Sequence, residues 1–385
     1  MRKHEIFTTT PRVVMGSGTL ASIGDEVKRV NGTSVLIVTD PGVMSTGIVE
    51  RLEGLLRDAG LGVARFDKVE ADPRYEIVED SLKVLRQAGA DTVIGIGGGS
   101  SLDMAKITAV MATNEGPVGK YFGIDLIPAP GLKTILIPTT AGTGSEVTPI
   151  VILSDHHEKL KKGIVSPYLF PSCALLDAEL TLGLPPKVTA ATGMDALIHA
   201  LEAYTSKNAT AMSDTLAREA IGLIFNNIRT AYANGDNLAA RENMLRGSLL
   251  AGMAFANAGV TAVHAFAYPI GAEFHIPHGV ANTIMLVPVM RFNQTGNLPR
   301  FAELAGLIGE DVTGLSQRKA AARAVEALAE LAEDLRVPQH LAEFGVKEAD
   351  VPALAAGAMK VTRLLANNPR KLLLEDAEDI YRLAL

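Results

Sequence analysis

The chain has 385 residues, 48% of them hydrophobic and 21% charged, the balance of an ordinary globular protein. Its net charge is −7 with both signs interspersed, so nothing supports a nucleic-acid partner, and no apolar run reaches the roughly eighteen residues of a membrane span. Cys173 is the single cysteine, which excludes an intrachain disulfide and favours a reducing cytoplasm, and the stretch MRKHEIFTTTPRVV lacks the apolar core of a signal peptide.

In chain order, Val35 to Thr39 reads as a buried strand, followed by a helix through Ile48, Leu52, Leu55 and Leu56. Residues 62–66 read as a second strand and 76–88 as a helix with Ile77, Leu82 and Leu85 on its apolar face. A third strand, 92–96, runs into Gly97-Gly98-Gly99; a helix follows over 101–113, and 134–137 is a further strand. Alternating helices and near-continuous apolar strands imply a parallel sheet covered on both faces. After Leu184-Pro185-Pro186 the texture becomes helical, with helices expected near 190–206, 210–232, 238–257, 298–308, 316–335 and 348–366. The expected architecture is an α/β dinucleotide-binding domain over 1–186 and a helical metal-binding domain over 187–385, with cofactor and substrate in the cleft between them.

Gly97-Gly98-Gly99-Ser100 stands where a strand ends and a helix begins. Glycines there allow close approach of a diphosphate, and the helix N-terminus supplies free N–H groups and a favourable dipole. The alternative is a tight turn without a ligand. Gly16-Ser17-Gly18-Thr19-Leu20-Ala21 formally matches a dinucleotide fingerprint but lacks the surrounding βαβ unit, and reads as a turn. Asp40 closes the first strand, where a carboxylate can accept both ribose hydroxyls of NAD and repel the 2′-phosphate of NADP; it can equally cap the turn at Pro41-Gly42.

Asp195 and His199 are four residues apart in a helical segment and share a face. With His264 and His278 they offer one carboxylate and three imidazoles, a set suited to Fe(II), Zn(II), Co(II) or Mn(II). His264 lies in Val263-His264-Ala265-Phe266-Ala267, surroundings that demand a partner for an imidazole. His275 is an alternative to His278. Such an ion lowers the pKa of a bound alcohol and polarises an aldehyde carbonyl.

Across essentially its whole length the chain resembles the iron-dependent (group III) alcohol dehydrogenases. The resemblance is carried by Gly97 through Lys106 (GGGSSLDMAK), Pro138 through Glu146 (PTTAGTGSE), Gly193 through His199 (GMDALIH), the stretch from His264 to Pro277-His278-Gly279, and Asn368-Pro369-Arg370. It implies a Rossmann-like first domain, a helical second domain of dehydroquinate synthase-like architecture, and NAD-dependent oxidation of an alcohol or reduction of an aldehyde. It implies Asp195, His199, His264 and His278 as ligands of a divalent metal, iron first and zinc second.

By the same resemblance Gly97, Gly98, Gly99 and Ser100 form the pyrophosphate loop, Thr139 and Thr140 lie near the adenosine, and Asp40 goes with NAD. Thr143, Ser145 and Leu182 join the cofactor site, and Asp103 faces its nicotinamide side as a candidate catalytic residue. Many members carry a second histidine four residues after the one at His264, assigned to a proton relay; here Tyr268 stands there, a poorer base at neutral pH. Pro149, Val151, Phe255 and Leu364 would line an apolar pocket for a short uncharged primary alcohol. His156, His157, Lys159, Lys161 and Lys162 form a basic cluster that reads as a solvated face, although it could attract an anionic carbonyl compound. A transhydrogenase between hydroxyacids and oxoacids is the alternative activity on this scaffold, and a homodimer or larger homo-oligomer is expected.

Overall fold

A computed structural model describes residues 4–155 and 160–385, in two compact units: Thr9–Leu184, and Pro185–Leu385 together with the stretch ending at Thr8. The first unit is α/β. Its strands are β1 (Val13–Met15), β2 (Ser34–Val38), β3 (Gly62–Phe66), β4 (Thr92–Gly97), β5 (Gly123–Ile124), β6 (Lys133–Pro138), β7 (Ile150–Asp155), β8 (Leu160–Val165) and β9 (Cys173–Leu176). Six form one sheet in the order β1-β9-β6-β4-β2-β3, every pair parallel. The other three form a small sheet, β5-β8-β7, in which β7 and β8 are antiparallel. Its helices are α1 (Ile23–Arg29), α2 (Pro41–Met44), α3 (Ile48–Asp58), α4 (Ile77–Ala88) and α5 (Gly99–Met111).

The central strands read as unbroken apolar runs because both of their faces are buried. Leu36, Val38, Val93 and Leu136 point into one core, with residues of α4 and α5. Val35, Ile37, Ile94, Ile96, Ile135 and Ile137 point into the other, with residues of α1 and α3. The chain must run close between β4 and α5: a Cβ on Gly95 would lie 2.7 Å from Ala105 Cβ and 2.8 Å from Leu136 Cδ2. At Gly16–Ala21 the structure forms the expected turn. Its amides are already occupied, since Gly18 N and Leu20 N donate to the two oxygens of Asp177, each at 3.0 Å.

The helix α5 also grips the segment after β6. Lys106 is fully buried, 3.0 Å from Asp103 Oδ1, and donates to the carbonyls of Ser145 and Ile150. Asp103 in turn accepts from Ser145 Oγ at 2.5 Å and from Ile152 N at 2.9 Å. Beside this pair Glu146 is 2% exposed, and its Oε1 has no hydrogen-bond partner among the described residues. Burial pushes the Glu146 carboxyl up to about 7, against the opposing pull of its own backbone amide and of Lys106.

The second unit is helical: α6 (Pro186–Thr205), α7 (Ala211–Ala233), α8 (Leu238–Ala258), α9 (Ala262–Phe274), α10 (His278–Asn293), α11 (Leu298–Leu307), α12 (Gln317–Asp334), α13 (Val351–Met359), α14 (Thr362–Leu365) and α15 (Leu374–Ala384). The expected segments reappear with small shifts, except that 348–366 is broken into a 3-10 turn, α13 and α14. The helices α9 and α10 were not legible. Each contains a proline, Pro269 and Pro288, and each is buried on most sides, so no amphipathic period marks it. Among the described residues no single helix is long and apolar enough to cross a membrane.

Two outcomes follow from these packing facts. Gly95→Ala forces a methyl group between α5 and β6 and should destabilise the α/β unit by about 1–3 kcal/mol, read as a lowered denaturation midpoint. The raised carboxyl of Glu146 contributes stability that is complete below about 4.5 and is lost as pH rises through about 7. Glu146→Gln should therefore flatten the pH dependence of stability across that window, a change of up to ~3 kcal/mol at about 1.4 kcal/mol per pH unit, measured by denaturant titrations at pH 5 and pH 8.

Candidate metal centre and cofactor loop

Pro186 opens α6 at a position where a missing N–H costs nothing, and an alanine-rich run continues it. Asp195, His199 and Glu202 follow one another at intervals of four and three, so they lie along one face. That face is buried: Asp195 is 3% exposed, His199 6% and Glu202 0%. Two glycines bring neighbours close. A Cβ on Gly193 would meet Ile228 Cδ1 at 2.7 Å and Met244 Cε at 2.8 Å, on α7 and α8. A Cβ on Gly279 would lie 2.2 Å from the Ala191 carbonyl oxygen, so only glycine lets the start of α10 rest on the backbone of α6. His278, one residue earlier, is thereby held beside Asp195.

The structure brings together all four of the predicted ligand candidates. The ligand atoms of Asp195, His199 and His264 all lie within 4.8 Å of one another. Nε2 of His264 is 3.0 Å from Nε2 of His199 and 3.7 Å from Asp195 Oδ1, and His278 Nε2 is 3.8 Å from the same oxygen. Metal bonds of about 2.0–2.2 Å from nitrogen and oxygen put ligand atoms roughly 3–3.6 Å apart, so these spacings fit a single divalent ion with little movement. His275 is exposed at the left-handed end of α9, with φ of 54°, and does not compete with His278 for the place next to Asp195.

Two further residues shape the cluster. Asn282, fully buried on α10, donates from Nδ2 to Asp195 Oδ1 at 2.7 Å and stands 3.2 Å from Nε2 of both His264 and His278. Its Oδ1 has no hydrogen-bond partner among the described residues. Glu202 accepts from Thr261 N, Thr261 Oγ1 and Val263 N, at 3.0, 2.5 and 2.8 Å, and is hydrogen-bonded to His264 Nδ1. The pocket is electron-rich, with two buried carboxylates and no lysine or arginine ion-paired to either among the described residues. Burial pushes the Asp195 carboxyl up, yet His199, His278, His264 and the Asn282 bond together hold it below the usual carboxylate range. Burial lowers the His264 imidazole, but Glu202 and Asp195 outweigh it and raise it.

Sequence reasoning did not find Glu202 or Asn282. The signal was present: Glu202 continues the Asp195/His199 face by one more turn, and Asn282 follows His278 by four residues. Tyr268 lies on α9 with its ring 6.1 Å from that of His278. Burial pushes its hydroxyl up to about 12, so it stays protonated at neutral pH and is a donor rather than a base. Phe255 stacks on His199, with ring centroids 4.3 Å apart. Of the residues expected at the substrate pocket, Val151 belongs to a core cluster of the α/β unit at 0% exposure, and Leu364 is buried at 1%. Of the basic cluster, Lys161 is paired with Asp72 and Lys162 with Asp155, at 2.7 and 2.8 Å; His156, His157 and Lys159 lie outside the described residues.

In the α/β unit the glycine loop joins β4 to α5. Gly97 has a φ of +146°, and a Cβ there would lie 2.7 Å from Ser101 Oγ and 2.9 Å from Asp40 Oδ2. A Cβ on Gly99 would lie 2.6 Å from Thr143 Cγ2, whereas one on Gly98 would meet nothing closer than 3.8 Å. Gly98 stands at the N-cap of α5 with no side-chain cap, and Gly98, Gly99, Ser100 and Thr140 are all partly exposed. Thr139 N donates to the Gly97 carbonyl at 3.0 Å, which ties the end of β6 to the loop. Asp40 does cap its turn: Oδ1 accepts from Gly42 N and Val43 N, while Oδ2 accepts from Ser101 Oγ at 2.9 Å. Thr143 accepts from Ser145 N, and Ser145 is bound to Asp103. The carboxylate of Asp103 is thus engaged by Lys106, Ser145 and Ile152, which makes it a holder of this segment. Leu182, partly exposed, ends the 3-10 turn after β9.

Comparison with known proteins agrees with this constellation. Residues 10–178 match the family model described as iron-containing alcohol dehydrogenase, and residues 189–385 match the C-terminal model of the same family. The chain is 43% identical over 371 residues to a 1,3-propanediol dehydrogenase of Klebsiella pneumoniae, covering 96% of each chain. It is 42% identical over 364 residues to a sulfoacetaldehyde reductase of Bilophila wadsworthia (strain 3_1_6), covering 94% of each. A crystal structure of a 1,3-propanediol oxidoreductase superposes with a TM-score of 0.97 at 41% identity, over the full length of both chains. The chain belongs to the iron-containing alcohol dehydrogenase family.

Proposed function

We propose that this protein transfers hydride between NAD(H) and a short, uncharged primary alcohol or its aldehyde, with a divalent metal at the Asp195 cluster. The observation that carries the reading is the buried convergence of Asp195, His199 and His264 at metal-ligand spacing, with His278, partly exposed, 3.8 Å from the Asp195 carboxylate. Asp195, His199, His264 and His278 would hold the ion, iron(II) first and zinc second, since this donor set accepts either. When bound, the ion stabilises an alkoxide or polarises a carbonyl.

The chain's own groups supply the rest. The amides opening α5, with Gly97, Gly98, Gly99 and Ser100, bind the diphosphate of the cofactor. Asp40 keeps an acceptor position on Oδ2 beyond its bond to Ser101, which suits a ribose hydroxyl and repels a 2′-phosphate. Thr139, Thr140, Thr143, Ser145 and Leu182 complete the cofactor side, and Asp103 with Lys106 keeps the 145–152 segment in place for it. Phe255, stacked on His199, offers an apolar wall to the substrate's carbon chain. Tyr268, kept protonated by burial, would serve as a donor on the substrate side and not as a base at neutral pH.

An uncharged substrate is preferred to an anionic one because the described lysines of the basic cluster are already neutralised by Asp72 and Asp155. The name of the sulfoacetaldehyde reductase relative keeps an anionic aldehyde as the second reading. A cytoplasmic homodimer or larger homo-oligomer is the expected working form.

Aldehyde-dependent NADH oxidation checks the reading. Chelation should lower the rate with propanal by about a thousandfold, the size of several kcal/mol of lost electrostatic stabilisation, and Fe(II) or Zn(II) should restore it. Metal-loaded, folded protein that is inactive with propanal but active with an anionic aldehyde would move the assignment to the second reading. Asp40→Gly should raise the NADPH-to-NADH ratio of kcat/KM by about tenfold or more, the effect of ~1.4 kcal/mol, in initial-rate assays with each cofactor.

A further inference from the structure

Glu202 is the most deeply buried charged group beside the metal centre, and none of the assigned roles uses it. Its side chain is fully buried on α6, one helical turn past His199. One oxygen, Oε1, accepts from Thr261 N, Thr261 Oγ1 and Val263 N, so the carboxylate is clamped to the start of α9. The other, Oε2, faces His264 Nδ1 in hydrogen-bond contact. Three donors on Oε1 hold the carboxylate, and Oε2 is left to the His264 imidazole among the described residues.

We propose that Glu202 is the positioning residue of the metal centre, holding His264 in the tautomer with its proton on Nδ1 and its Nε2 lone pair towards the cluster. The inference rests on the metal-dependent reading above. A carboxylate can only accept, so the hydrogen lies on Nδ1 and the Nε2 lone pair is directed at the cluster, 3.0 Å from His199 Nε2. This contact also makes His264 a more basic ligand and sets its ring plane.

Glu202→Gln isolates this role. Its amide oxygen can keep the Thr261 and Val263 bonds, while its NH2 group meets Nδ1 as a donor. The imidazole proton is then driven to Nε2, where it blocks coordination. The measurement is Co(II) binding to metal-free protein, followed by visible absorption and by competition with a chelator, with melting in EDTA as the control for folding. The wild type should bind one equivalent, and E202Q should bind 10- to 100-fold more weakly, as loss of such outer partners typically does, with its EDTA melting temperature little changed. Glu202→Asp, which keeps the charge but retracts it from His264, should weaken binding less. Proton NMR of the Zn-loaded wild type should show a far-downfield Nδ1–H that E202Q lacks.

Undiminished Co(II) affinity in folded E202Q would overturn the proposal. So would a Zn-loaded wild type with no such proton, a measurement that stands even where a variant fails to fold. A wild type that binds no metal would instead overturn the metal-dependent reading itself.

Discussion

Four electron-pair donors converge in the interior of the helical unit, and nearly everything local to them is arranged to tolerate that. Burying two carboxylates without a paired lysine or arginine is costly, and it persists only where a cation or a dense set of hydrogen bonds compensates. Glu202 takes the second route, with four donors around it. Asp195 has Asn282 and the imidazoles. The periodicity of α6 sets the first three members, and the glycines at 193 and 279 let α7, α8 and α10 approach closely enough to close the ring of ligands. A side chain at Gly279 would separate His278 from Asp195 by pushing α10 off the Ala191 carbonyl.

The α/β unit follows a comparable logic with an anion in view. The amides opening α5 are left without a side-chain cap, whereas the amides of the rival glycine turn at Gly18 and Leu20 are consumed by Asp177. That contrast separates the two glycine motifs more cleanly than their sequences do. Lys106 and Asp103 act beneath the loop. Their mutual ion pair, and their bonds to the 145–152 backbone, hold the segment that carries Thr143 and Ser145.

Much of this was legible in the residues. The doubly buried strands announced the parallel sheet, and Asp195 with His199 announced a metal-competent helix face. His264 betrayed itself as an imidazole among apolar neighbours. What escaped did so for physical reasons. The helices α9 and α10 are apolar on most sides and interrupted by Pro269 and Pro288, so neither has a polar face to mark its period. Glu202 and Asn282 act through other side chains, and a buried acid or amide on a helix looks like any other until its partners are seen. Val151, expected at the pocket by analogy, packs into a core of the α/β unit. Asp40 caps its turn with one oxygen, as one of its two sequence readings expects, and its other oxygen accepts from Ser101.

The central claim is that Asp195, His199, His264 and His278 bind one divalent ion together. X-ray absorption at the metal edge of Fe(II)- or Zn-loaded protein tests it most directly. The account predicts a first shell of light atoms at about 2.0–2.2 Å, with the outer-shell scattering of three imidazole rings. A spectrum fitted by oxygen ligands alone, without imidazole scattering, would contradict it.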